Sequence, residues 1–384
     1  MRRIRFLTAG ESHGKGLVVI IEGIPYGLPI SRGDIKRELK RRREVYGRSE
    51  RMKIEEDEPE ILSGVRFGKT IGSPISVLIR NVEWEKWKDI MREEEGEWER
   101  LKTPRPGHAD YAGVIKYGTG DIRPIMERAS ARETVMRVVA GAFAKKFLRE
   151  FGIEIKSRTL SIGGIWAEGG WDVEGSPLRC PDKDAEKKMK ELIDRAREEG
   201  DTLGGVFEVV AKGVPPGLGS HIQWDLRLDS RIAGAIMSIN AVKAVEIGEG
   251  IKIAGMKGSE SHDEFYVSQG KMRRKTNRAG GIEGGISNGE EIIVRAYVKP
   301  VPTLRKPLKS IDLDEGKEVE AFYERSDICI VPAACTIGEA MLSLVIADAF
   351  LEKFGGDSMD EVRRNYKTYI EGIKWWSSDF TATG

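Results

Sequence analysis

Two of the four histidines in this 384-residue chain sit on glycine turns: His13 in Gly10-Glu11-Ser12-His13-Gly14 and His108 after Pro106-Gly107. An imidazole has an ordinary pKa of ~6.5, so either can give or take a proton near neutrality. Around them the sequence offers many arginines at loops and predicted helix ends: Arg42, Arg48, Arg105, Arg123, Arg128, Arg132 and Arg325. Guanidinium stays charged and forks onto carboxylate or phosphate in paired bonds. Asp327 follows Arg325 by two positions, and Lys299-Pro300-Val301-Pro302-Thr303 is a stiffened segment with a cation and a hydroxyl suited to phosphate. The combination fits proton transfer at a small ligand bearing several anionic groups. The plainer alternative, a solvated basic face, suits Arg41 to Arg43 best, and a lone histidine is more often structural than catalytic.

The stretch 104–147 must position much of this chemistry. His108 stands on its turn, Gly118 and Gly120 follow, and Arg123, Arg128, Ser130 and Arg132 fall within ten residues. Ser130-Ala131-Arg132-Glu133 reads as a capping box that starts a long helix near Ser130. A helix N-terminus among guanidinium groups attracts anions. Strands are expected at 4–9, 17–21, 61–66, 75–80, 153–165, 206–211 and 292–298 from their β-branched or alternating patterns. Helices are expected at 33–44 behind a Ser31–Asp34 capping box, at 182–199 as an exposed charged helix, at 229–239 and at 337–354. Trp84, Trp87, Met91 and Trp98 fall on one helical face of a charged excursion, 83–101, which reads as packing against the body or a partner. No linker or solenoid period divides the chain, so the expectation is a single domain, 1–384, of mixed α/β (α+β) class with helices packed on sheets.

Composition removes several function classes. With 63 basic and 62 acidic residues the net charge is +1, which gives no whole-protein attraction for nucleic acid. An RNA- or polyanion-binding module built on the basic density from Lys36 to Lys53 remains the competing class, and it has no aromatic stacking platform. There is no GxxxxGK[ST] loop, no GxGxxG between a strand and a helix and no HExxH; Gly10-Glu11-Ser12-His13-Gly14 and Gly285-Ile286-Ser287-Asn288-Gly289 have GxSxG spacing, but neither leads from an expected strand into an expected helix as a nucleophile elbow must. His262-Asp263-Glu264 are adjacent and cannot converge on one ion from a strand or helix, so no metal site is expected. Three cysteines without CxxC spacing, an N-terminus with no apolar leader pattern and no membrane-length apolar run predict a cytoplasmic protein in a reducing compartment. The Lys, Arg and Glu richness resembles a thermophile's.

Taken together and in order, GESHG, RPGHAD, YGTGDIRP…ERASARET, DSRIAGAIMSINAVKAVEIG, AGGIEGGISNGE, KPVPT and ERSDICIVPAACTIGEAM resemble the chorismate synthase family, from residue 10 to about 341. The resemblance implies a lyase that converts 5-enolpyruvylshikimate 3-phosphate to chorismate and phosphate by 1,4-anti elimination, with reduced FMN required but no net redox change. It implies a homotetramer of β–α–β sandwiches with helices held between sheets. It also implies roles: His13 to protonate the leaving phosphate, His108 to set the flavin's protonation state, and Asp327 to relay a proton from flavin N5. Arg42 and Arg48 would line the substrate mouth, or hold NADPH where the chain reduces its own flavin. Arg105, Arg132 and Arg325 would clamp substrate anions. Arg128, Ala129, Ser130, Asn240, Ala241, Gly284, Lys299, Pro300, Val301, Pro302 and Thr303, again with Arg325, would hold the flavin. A flavin reductase is the third reading. The excursion 83–101 and the C-terminal extension from about 355 carry little of the resemblance.

Overall fold

The computed structural model describes residues 3–49, 55–268 and 271–373. One sheet is built from β1 (Arg5–Ala9), β2 (Gly16–Glu22), β3 (Glu60–Ser63) and β4 (Ile75–Arg80), in the antiparallel order β1–β2–β4–β3. The register places Leu17 opposite Ile79, Val19 opposite Val77 and Ile21 opposite Ile75, so one face of alternating residues is buried. A second sheet contains β5 (Glu154–Ile162), β6 (Ile165–Trp166), β7 (Gly205–Lys212), β8 (Val242–Ile247) and β9 (Ile292–Val298), in the order β8–β9–β7–β5–β6. Its inward side chains include Val209 opposite Val294 and Phe207 opposite Ala296.

Among the described residues there are nine α-helices of seven or more residues. They are α1 (Arg32–Arg43), α2 (Trp84–Met91), α3 (Asp110–Tyr117), α4 (Arg123–Ala129), α5 (Thr134–Arg149), α6 (Lys183–Glu199), α7 (Leu228–Met237), α8 (Val331–Phe354) and α9 (Met359–Gly372). Helix α5 packs on β2 of the first sheet and α8 on β5 and β7 of the second, while α5 and α8 pack on each other. The expected layering of helices between sheets is therefore present. At the α5–α8 crossing, a Cβ on Gly141 would lie 2.3 Å from that of Ala340, so only glycine permits this approach. Helix α8 is long and apolar enough to span a membrane, yet its most apolar stretch is 94% buried inside the fold, as befits a helix that is apolar all round.

Several sequence expectations need correction. The excursion 83–101 is helical only over Trp84–Met91, so Trp98 leaves the shared face and instead donates its Nε1–H to Asp121 at 2.8 Å. The capping box at Ser130 does not form. Ser130 Oγ accepts from Arg132 N at 3.3 Å and caps a short 3-10 turn, and Glu133 pairs with Arg137 rather than reaching back. The chain was already helical over α4, and α3 was not anticipated at all. Helix α6 buries Ala185, Met189, Ile193 and Ala196 along one stripe and is not simply a solvated helix. The Ser31–Asp34 capping box forms as read. Residues 374–384 of the C-terminal extension and 50–54 of the basic loop lie outside the described residues.

Candidate active site

The β1–β2 turn, the start of α3, α4 with the turn after it, and the segments 299–303 and 322–330 converge on one cavity of about 660 Å³. That is within the usual range for a small-molecule site. Gly10 permits the first turn: its φ is +101°, and a Cβ there would sit 2.2 Å from the Gly16 carbonyl oxygen. His13 is presented at the cavity wall but is itself buried. Its backbone N–H donates to Glu127 Oε2 at 2.8 Å, and its Nδ1 lies 2.9 Å from Oε1. Burial opposes ionisation of Glu127, but hydrogen bonding to His13 outweighs it and lowers its pKa. An ionised carboxylate only accepts, so Nδ1 carries the proton and Nε2 is the nitrogen left for chemistry.

His108 is arranged in the same way. Its Nδ1 stands 2.5 Å from Asp110 Oδ1, and Arg105 reaches the same carboxylate through Nε at 2.8 Å and Nη2 at 3.1 Å. Burial would raise the Asp110 pKa; His108 and Arg105 instead hold it well below the usual range. Arg105 Nη2 also lies 3.0 Å from His108 Nδ1, but that nitrogen cannot accept from Arg105 while donating to Asp110. The closer, ionised partner decides the tautomer. Arg105 Nη1 donates to Thr303 Oγ1 at 3.0 Å, which ties the His108 turn to segment 299–303.

The arginines divide into groups. Arg42, Arg48, Arg105, Arg132 and Arg325 all line the cavity, as expected. Arg132 is held by Asp57 at 2.6 Å and Glu55 at 2.7 Å, so its charge is already balanced. Arg325 is half exposed and meets Glu83 at 3.1 Å. Arg48 pairs with Asp327 at 3.2 Å, and the other Asp327 oxygen accepts from Ser49 N at 2.7 Å. Arg42 differs: it is 1% exposed, donates to Thr134 Oγ1 and the Ala131 carbonyl, and its Nη1 has no partner among the described residues. Burial, then the nearby Arg48, pulls its pKa down to about 9. A buried guanidinium at a cavity wall, with one donor unpaired among the described residues, suits an anion. Arg42→Met should therefore hold or raise the thermal midpoint of the ligand-free protein, since it removes an uncompensated charge. The same change should raise the KM for an anionic substrate by the ~1.5–3 kcal/mol of a charged hydrogen bond, about 10- to 100-fold. An unchanged KM would remove Arg42 from the ligand site.

Ala129, Ser130, Asn240, Ala241, Lys299, Val301, Pro302 and Thr303 also line the cavity. Asn240 Nδ2 donates to the Ala129 carbonyl at 3.1 Å, and its Oδ1 is buried without a partner among the described residues. Ala241 adopts φ +69°, strained for a residue with a side chain, and its carbonyl accepts from Lys299 N at 2.9 Å. Lys299 Nζ donates to the Gly107 carbonyl at 2.5 Å. Three expected residues stand elsewhere. Arg128 is exposed and donates to the Thr8 and Gly10 carbonyls, Gly284 is at an exposed hairpin tip, and Pro300 turns outward. Alternation in an extended segment explains Pro300, while the other two are displaced by the break after α4 and by the hairpin 282–287.

The matching family model is that of chorismate synthase, over residues 4–351. The chain belongs to the chorismate synthase family. It is 53% identical over 395 aligned residues to the chorismate synthase of Aquifex aeolicus, covering 97% of this chain and 99% of that one. It is 54% identical over 388 residues to that of Syntrophomonas wolfei, covering 97% and 98%. A solved chorismate synthase structure superposes with a TM-score of 0.78 at 45% identity, covering 97% of this chain and 98% of the other. The protein is thus an enzyme acting on a small molecule, with the fold of that family. The family match ends near the close of α8, so α9 lies beyond it.

The sequence reading missed Glu127, Asp110 and Trp87. Asp110 was legible in principle, two residues after His108 in the same motif. Glu127 was not, because it lies 114 residues from its partner His13. Trp87 carried a helical spacing that said only that it packs; it lines the cavity and stacks on His13. His262-Asp263-Glu264 is structural: Asp263 accepts from Arg278 N and Ala279 N, and no metal-binding cluster occurs among the described residues.

Proposed function

We propose that this enzyme converts 5-enolpyruvylshikimate 3-phosphate to chorismate and inorganic phosphate by 1,4-anti elimination in the presence of reduced FMN. The observation that carries the reading is the pairing of two carboxylate-held histidines in one cavity with five arginines, one of them buried with a donor to spare. The substrate has two carboxylates and a phosphate, and the flavin adds another phosphate, which matches such a cationic wall.

The residues fit a flavin. Asn240 Oδ1, which has no partner among the described residues, suits a ring N–H, and Lys299 with Thr303 suits a phosphate. When bound, reduced FMN supplies electron density to the allylic system of the substrate. As an imidazolium, held at Nδ1 by the ionised Glu127, His13 donates its Nε2 proton to the phosphate oxygen as the C3–O bond breaks. Asp327, its oxygens fixed by Ser49 N–H and Arg48, would relay onward the proton that originates at C6. His108 and Arg105, locked on Asp110, present a fixed hydrogen-bonding edge beside segment 299–303. A homotetrameric, cytoplasmic enzyme is the assembly and place that the family implies.

The test is anaerobic. The full chain is mixed with substrate and chemically reduced FMN, and phosphate and chorismate are followed. Equimolar release of both is expected; no product would overturn the reading. NADPH added with oxidised FMN to the same protein distinguishes a self-reducing enzyme, which would consume NADPH steadily, from one needing flavin reduced elsewhere.

A further inference from the structure

The segment 84–93 is fastened to the turn that carries His13. Trp87 stacks on the His13 imidazole with ring centroids 4.1 Å apart and planes 23° from parallel. Lys15 Nζ stands 5.7 Å over the Trp84 ring and 2.7 Å from Glu93. Just before α2, Asn81 Nδ2 donates to the Glu11 and Gly14 carbonyls, and Asn81 N donates to the Lys15 carbonyl. Helix α2 itself buries no residue, so it contributes little to the core. Its contacts serve the turn.

Trp87 also closes a ring of four contacts. The Arg123 guanidinium lies 5.1 Å from the Trp87 ring, and Arg123 Nη1 lies 3.3 Å from Glu127 Oε1, the oxygen that holds His13. Glu127 alone fixes the tautomer of His13, but a ring held at Nδ1 can still pivot about that bond. A parallel indole face removes the pivot and so fixes where Nε2 points. Proton transfer needs donor and acceptor within hydrogen-bond reach, so the ring plane matters as much as the tautomer.

We propose that Trp87 is a positioning residue for His13, and that α2 exists to deliver its indole to the imidazole. The proposal rests on the chorismate synthase reading of the site and adds a residue to it. Under that reading, Trp87→Ala should lower turnover by up to about 10²-fold, the cost of a misplaced reacting group, with substrate KM little changed. Trp87→Phe keeps a ring against the imidazole and should recover most of the loss. On a His13→Ala background, Trp87→Ala should cost nothing further, because its effect passes through His13. A second readout needs no turnover. With selectively labelled histidine, only four ring signals arise, and the His13 protons should be shifted upfield by the indole in the parent and in Trp87→Phe but not in Trp87→Ala. Turnover near the parent's in Trp87→Ala, or an equal loss with and without His13, would overturn the proposal, as would a His13 signal that ignores Trp87. If the parent itself made no chorismate, the functional reading would fail, and the ring signal would still decide whether Trp87 orders His13.

Discussion

His13→Ala should fold as the parent does and lose about 10²–10⁴-fold in turnover, the usual contribution of a general acid. The fold should survive because Glu127 does not lose every partner. The backbone N–H of residue 13 still reaches Oε2 at 2.8 Å, and Arg123 still reaches Oε1 at 3.3 Å. The turn keeps Gly10 and the Asn81 bonds to its carbonyls. What disappears, on the proposed function, is the proton donor at the departing phosphate. Stopped-flow phosphate release with reduced FMN, beside a circular dichroism spectrum, measures both halves. Turnover within about threefold of the parent's would remove His13 from the proton path.

Glu339→Ala should give the largest loss of stability, about 3–5 kcal/mol, the cost of breaking a buried ion pair from one side. Glu339 lies on α8 and is completely buried. Its oxygens accept from Arg41 at 2.6 and 2.9 Å, Lys145 at 2.6 Å, Arg179 at 3.2 Å and Ser157 at 2.6 Å. The cluster ties α1, α5, α8 and β5 together. It also orients α1 so that Arg41 turns into the core while Arg42 enters the cavity. Burial would raise the Glu339 pKa, but Lys145 and Arg41 outweigh it and hold the carboxyl well below 4.5. Its stabilisation is therefore whole above the unfolded value, near pH 4.5, and is lost as pH falls through the lowered folded value. Urea denaturation at pH 7 and at lower pH checks both the loss and its decline in acid. An equal stability at pH 7 would mean that Glu38 alone satisfies Lys145 and Arg41.

By itself the sequence determined the class of the fold, most of its strands and long helices, and the motifs that mark the family. Those depend on local periodicity and on residue types at short spacing, such as the alternation Leu17-Val19-Ile21 and the order of the glycine-flanked loops. It also named most of the cavity wall, because loops that carry histidine, arginine and asparagine beside glycine announce their chemistry. Tertiary structure alone decided which charges are spent and which are available. Seven similar arginines include an Asp57-bound Arg132, a surface-held Arg128 and an Arg42 with a donor unpaired among the described residues. Partners far apart in sequence set those states, and no spacing rule reaches across 114 residues from His13 to Glu127 or 74 to Trp87. Helical spacing predicted that Trp87 would pack; only the fold could show that it packs on the imidazole.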